Sequence, residues 1–149
     1  MSGRIDLYTR LLYARRGRVF GRAAYYLLRL LGAEVPLPVR IGEGCLLVHG
    51  GYGIVIHPKT TLGDRVKIYP GVTLGRADIH IPAEASAFEG IEIGDDVILS
   101  PGARVLGKQG VLRIGSGAVI GANAVVLEDV GENEIWAGIP ARLISLRKN

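Results

Sequence analysis

The sequence predicts an all-β fold, a parallel β-helix of hexapeptide repeats preceded by a short α-helical segment. Three observations predict it. Aliphatic residues fall six apart at Ile56, Leu62, Ile68 and Leu74. Small or β-branched residues stand four places after an aliphatic one, at Thr60, Val66 and Val72, and Gly follows Leu62 and Leu74. The chain holds 22 glycines in 149 residues, about twice the usual rate. A helix has no six-residue period, and an amphipathic strand alternates every two. Hexads of this kind make one short strand and one corner each. The aliphatic side chain points into a prism whose coils pair backbone to backbone.

The N-terminal part has a different pattern. From Asp6 to Leu31, leucines such as Leu7, Leu11, Leu12, Leu27 and Leu28 recur among arginines. This reads as one or two amphipathic helices, broken at Gly17 or Gly21. Residues 1–40 hold eight arginines against Asp6 and Glu34, in a chain of net charge +4. Two roles suit such a segment. It caps the open end of the prism, or it rests a basic face on an anionic membrane, with Leu27, Leu28 and Leu31 facing the bilayer. Nucleic acid is not an expected partner, because the tyrosines are clustered rather than interleaved with base-reading residues. Gly32 ends the helix, and Pro36 and Pro38 extend the chain into the first coil.

The beat then runs through Ile41 and Leu47, Ile93, Leu99 and Val105, and Ile114, Ile120 and Val126. Small or Val residues follow at Cys45, Val97, Ala103, Ala118, Ala124 and Val130. Gly or Asn is expected where a corner needs φ > 0. The predicted division is a helical segment and lead-in over 1–40, the β-helix over 41–144 and a tail over 145–149. The beat slips three times, predicting excursions at 48–55, 76–91 and 107–113, and loops on a rigid scaffold tend to carry function.

One Cys excludes a disulfide framework and any Cys-based zinc site. No secretory signal and no run of about 18 or more apolar residues is evident, which predicts a cytoplasmic protein.

The first excursion, Val48-His49-Gly50-Gly51-Tyr52-Gly53, places an imidazole in a glycine-rich loop. A phosphate-cradling loop would lead into a helix, and here a strand pattern follows. A neutral imidazole on a rigid corner is instead suited to take a proton from a hydroxyl nucleophile. The second excursion, from Arg76 to Ile91, is long, polar and partly aromatic, and is the expected acceptor-binding loop. Tyr52, Arg76, His80 and Glu84 are the candidate acceptor contacts. His57, before Pro58, reads as structural, and Trp136 as packing for the last coil.

Several stretches carry a resemblance. They are Gly32-Ala-Glu-Val-Pro, the run Ile41-Gly-Glu-Gly-Cys-Leu-Leu-Val-His49-Gly-Gly-Tyr-Gly-Ile-Val-Ile, Val72-Thr-Leu-Gly, Ile120-Gly-Ala-Asn-Ala-Val-Val and Trp136-Ala-Gly-Ile-Pro-Ala-Arg142. Together they resemble the hexapeptide acyltransferases of the serine acetyltransferase type. The resemblance implies a left-handed β-helix, usually a homotrimer with active sites between subunits. It also implies acetyl transfer from acetyl-CoA to a hydroxyl or amine, without metal. It makes His49 the general base and Glu34 the carboxylate that orients it. Gly75, Ser100, Pro101 and Ala122 would line the pantetheine, and Arg142, with Lys108, would meet the nucleotide phosphates.

The departures matter. Val48 stands where the serine enzymes have Asp, and Gly90 where they have a second functional His. The loop around His49 is one residue longer, and a large N-terminal helical domain is not expected from residues 1–40. Glu34 in place of Asp matches the polysaccharide-modifying relatives. The expected acceptor is therefore a hydroxyl of a sugar or glycan precursor, including a lipid-linked sugar reached from a peripheral membrane position. Alternatives are a serine O-acetyltransferase-like enzyme, a γ-type carbonic anhydrase using His49, His57 and His80 on zinc, and a non-catalytic β-helix scaffold.

Overall fold

The computed structural model describes residues 6–148. The two helices come first. Helix α1 spans Leu7–Ala14 and starts at Asp6, whose Oδ1 accepts from the Thr9 backbone N–H at 2.8 Å, a side-chain cap on an otherwise orphaned donor. Helix α2 spans Gly21–Leu30. The break falls between them because Gly21 meets the Arg15 carbonyl; a Cβ there would lie 2.5 Å from that oxygen.

Fifteen strands follow, wound into three faces. The first face stacks β1 (Ala33–Glu34), β4 (Ile54–Ile56), β7 (Thr73–Arg76), β10 (Arg104–Gly107) and β13 (Val125–Val126). The second stacks β2 (Arg40–Ile41), β5 (Thr60–Leu62), β8 (Phe88–Ile93) and β11 (Gly110–Ile114). The third stacks β3 (Leu46–Leu47), β6 (Lys67–Ile68), β9 (Ile98–Leu99), β12 (Val119–Ile120) and β14 (Glu134–Gly138), closed by β15 (Ala141–Leu146). Every pairing is parallel except β14 with β15. This is a left-handed parallel β-helix.

The six-residue beat is the inside of the prism. Ile56, Leu62, Ile68 and Leu74 are buried, and so are the small residues Cys45, Val66, Val72, Ala103, Ala118 and Ala124. Each buried aliphatic side chain contributes roughly 1.5–3 kcal/mol. The alternation of large and small residues lets three faces meet at one axis without overpacking.

Several boundaries differ from those the beat predicts. The prism begins at Ala33 rather than Ile41, because Ala33 and Glu34 pair with Ile54 and Val55. The stretch 107–113 is no excursion. It is mostly strand β11, paired with β8 through a register shift near Gly110. The second excursion shrinks to 77–87 for the same reason, since β8 already starts at Phe88. In the first, β4 takes Ile54 and Val55. At the tail, β15 runs to Leu146 and Arg147 N–H still donates to the Asn133 carbonyl.

Corners also differ. Left-handed φ occurs at Gly44 and Gly117 as expected, but also at Arg65 (φ 56°) and Asp96 (φ 57°) of the same column. The side chains one place before these corners form a hydrogen-bonded ladder. Asp64 Oδ1 accepts from Glu43 N–H, Asp95 Oδ1 from Asp64 N–H and Ser116 Oγ from Asp95 N–H. The ladder satisfies corner amides that no strand pairs.

Helix α1 caps the first coil. Tyr13 Oη donates to the Gly42 carbonyl (2.9 Å) and accepts from Cys45 N–H (2.7 Å). Arg15 is buried, and its guanidinium donates to the carbonyls of Pro36 (2.7 Å) and Val39. Burial and the neighbouring Arg16 lower its pKa to about 10, so it keeps its charge at neutral pH. Arg16 reaches the Ile41 carbonyl and Glu43. Leu28 of α2 is fully buried against the prism, so it is not free to face a bilayer.

Candidate active site

The chain leaves β3 at Leu47 and makes a 3-10 turn over Val48–Gly51. His49 (φ 52°, ψ 35°) and Gly50 (φ 78°) are both left-handed, followed by Gly51 and Gly53. This turns the chain out of the prism and leaves the imidazole exposed. A β-carbon plus ring in the left-handed region costs roughly 1–2 kcal/mol, and such positions cluster at functional sites.

Two tyrosines hold the turn. A Cβ on Gly50 would lie 2.9 Å from the ring of Tyr8 on α1. Tyr8 packs edge-on against Tyr52, with centroids 5.7 Å apart. Tyr69 stands edge-on to His49 at 6.0 Å between centroids. Neither Tyr8 nor Tyr69 was expected at the site. The register places Tyr69 there: Leu47 pairs with Ile68, so the residue after Ile68 lies one coil beyond the His49 turn.

The same register extends further. Ile68 pairs with Leu99, and Leu99 with Ile120. Val48, Tyr69, Ser100 and Gly121 are therefore successive rungs of one prism edge, with Pro101 and Ala122 one residue on. At about 4.8 Å per coil this line runs about 14 Å. His49, Ser100, Pro101 and Ala122 share that edge. Gly75 does not; it lies at the far end of the first face, in β7. Its φ is not left-handed, and an added Cβ would meet nothing nearer than 3.8 Å. Among the described residues nothing crowds a side chain at that position.

Arg142 pairs with Ala137 near the end of the same edge. Its Nη1 is 2.8 Å from Glu128 Oε1 in an exposed ion pair. Lys108 lines an open groove of about 410 Å³ whose other charged members are Glu128 and Asp129. That acidic company makes the groove a poor phosphate site as it stands.

Glu34 begins the first face at β1, opposite the exposed Val55, so its side chain projects outward near the His49 edge. Among the described residues no hydrogen bond joins it to His49. Arg76 is tied up within its own loop: Nε stands 3.3 Å from Asp78 Oδ1, and Nη2 donates to the Ile81 carbonyl at 2.8 Å. Asp78 is buried and accepts from Ser86 Oγ at 2.6 Å. That hydroxyl, then Arg76, holds the Asp78 carboxyl below the usual carboxylate range. Arg76, expected as an acceptor contact, is thus a loop clamp, and Asp78 and Ser86 were missed. His80, Glu84 and Tyr52 are exposed.

Gly90, where the resemblance places a second histidine, has no room for a side chain. A Cβ would lie 2.7 Å from the Lys59 carbonyl oxygen. His57 is a packing residue. Its Nδ1 accepts from Lys59 N–H at 3.1 Å, and its ring meets Phe88 edge-on at 4.9 Å. Burial, then Lys59 and Arg76, lowers its pKa. Among the described residues, no three His, Cys, Asp or Glu side chains converge as a ligand set, and His49, His57 and His80 are no exception.

No protein-family model matches the sequence. The chain is 36% identical over 134 residues to a serine acetyltransferase of Staphylococcus aureus (strain Mu50 / ATCC 700699), covering 89% of this chain and 59% of that protein. A serine acetyltransferase structure from Neisseria gonorrhoeae superposes with a TM-score of 0.75 at 30% identity, over 95% of this chain and 53% of that one. One from Brucella abortus strain S19, in complex with coenzyme A, gives 0.71 at 28% identity, over 86% and 49%. The chain thus spans about half to three-fifths of the length of the relatives it matches. By sequence and by fold it is similar to the hexapeptide-repeat acyltransferases of the serine acetyltransferase type over most of its own length.

Proposed function

We propose that this chain transfers an acetyl group from acetyl-CoA to the hydroxyl of a small acceptor, with His49 as general base. The observation that carries the reading is His49 itself: an exposed imidazole held left-handed at one end of a prism edge. Ser100, Pro101 and Ala122 continue that edge. Acetyl-CoA supplies the thioester carbonyl. His49 takes the acceptor's hydroxyl proton as the new C–O bond forms, and returns it to the sulfur as the C–S bond breaks. Glu34 steadies the imidazolium from the adjoining strand. Tyr69 limits the ring's motion from one coil away.

The relatives' names make L-serine the first acceptor to try, ahead of the sugar hydroxyl that the departures at Val48 and Gly90 favour. The sugar reading keeps one specific support. Gly90, pressed by the Lys59 carbonyl, leaves no room for a histidine. A homotrimer belongs to this reading, since Leu46 and Val55 expose apolar surface on the outer faces.

The test is an acceptor screen with acetyl-CoA, following free thiol. It covers serine, simple sugars, nucleotide sugars and lipid-linked sugars. Release that depends on one hydroxyl acceptor is the expected result. No acceptor-dependent release with any of them would overturn the reading.

A further inference from the structure

Helix α2 is apolar on two opposite sides. Gly21, Ala24 and Leu28 are buried against α1 and the prism. At 100° per residue, Ala23, Tyr26 and Leu30 fall on the far side and Leu27 on its flank, and all four are exposed. The turn before the helix adds two more exposed apolar residues, Val19 and Phe20. Leu30 is 82% exposed, Val19 81% and Phe20 74%. Apolar side chains this open are a surface looking for a cover.

Charge says what covers it. Arg22 and Arg29 lie seven apart, along one border of the stripe, and Arg18 stands at its start. All three are exposed and have no ion pair among the described residues. No acidic residue occurs from 7 to 33. An antiparallel twofold contact between copies across this stripe would set the two arginine rows near each other, which like charges oppose. A nucleic acid would leave the leucines and the phenylalanine unmatched. An anionic lipid surface satisfies both parts, with apolar side chains at the acyl boundary and guanidinium groups at the phosphates.

We propose that the outward stripe of α2, with the Val19–Phe20 turn, seats the protein on an anionic membrane surface. The prism packs on the opposite side of the helix, so capping and membrane contact use different residues. The contact is peripheral, for no helix among the described residues is long and apolar enough to cross a membrane.

The test is flotation of the whole chain with phosphatidylcholine vesicles, plain or containing about one-third phosphatidylglycerol. Binding is expected only to the anionic vesicles, and it should fall between low and physiological salt as the Debye length shrinks to about 8 Å. Arg22→Gln with Arg29→Gln should lower the partition coefficient about thirtyfold. Phe20→Glu with Leu30→Glu should abolish binding, with the circular dichroism and melting temperature of the parent. Failure to float at low salt, or equal binding to plain phosphatidylcholine, overturns the proposal. So does wild-type binding by either double variant. A Leu30→Glu protein with a changed mass in light scattering also overturns it, because the stripe would then lie between copies.

Discussion

Arg65 closes a two-point ion pair on Asp96, Nε to Oδ1 and Nη2 to Oδ2, each at 2.8 Å. The two residues occupy the same corner of successive coils, and both have left-handed φ. Hydrogen bonding to Asp96 raises the pKa of Arg65, and hydrogen bonding to Arg65 lowers that of Asp96. Both side chains are more than half exposed, so salt screens the pair. Asp96→Asn keeps a residue that tolerates this backbone and should lower the melting temperature only slightly, less still at high salt. Asp96→Val puts a β-branched residue at φ 57° and should melt about 3–6 °C below the Asn variant. Equal melting points for the two would show that backbone strain does not matter at this corner.

His49→Asn separates chemistry from fold. Asn accepts left-handed φ but is no base, so the melting temperature should hold while turnover drops about 10²–10⁴-fold. Glu34→Gln keeps a hydrogen-bonding group without the charge and should cost less. The rates belong beside thermal melts of each variant, and near wild-type turnover by the Asn protein would remove His49 from the mechanism.

The 77–87 loop should depend on Asp78. Asp78→Ala removes the partner of both Arg76 and Ser86, and limited proteolysis should then cut the loop faster while the prism stays intact. Because the carboxyl's pKa is lowered in the fold, its contribution is present above about pH 3.9, the ordinary Asp value. It is lost as the pH falls through the lower folded value. Cleavage of the wild-type loop should rise in that acid range, and cleavage of the Ala variant should not.

His57 gives a second pH signature. Its folded pKa lies below the ordinary value of about 6.5, because protonation meets burial and two cations and displaces the Lys59 N–H from Nδ1. Stability is therefore full above about pH 6.5 and falls as the pH drops through the folded value. His57→Asn should flatten the stability-versus-pH curve in that window. Urea midpoints at several pH values provide the comparison.

Arg15 should be the costliest helix arginine to change. Arg15→Met leaves the buried Val39 carbonyl without a donor and the Pro36 carbonyl with only the Val39 N–H, at about 1–3 kcal/mol. Urea unfolding of that variant, beside Arg18→Met as an exposed control, should show a loss only for Arg15.

The prism was legible in the sequence because its cause is local and periodic. A side chain that must point inward at each hexad leaves its mark every six residues, and Ile56, Leu62, Ile68 and Leu74 show it without help from the fold. His49 was legible for a related reason, since a histidine among glycines interrupts the beat. What the beat could not carry was anything decided by which coil lies on which. Tyr69 meets His49 only through the register of Leu47 with Ile68. Gly90 lacks a side chain because the Lys59 carbonyl presses on it. Arg76 serves its own loop because a buried Asp78 folds back to meet it. The two faces of α2 were equally undecided. Its leucines are alike in the sequence, and only packing assigned Leu28 to the prism and Leu30 to the outside. Burial is a property of neighbours, and the neighbours here lie one coil or one helix away, at separations that a six-residue period does not record.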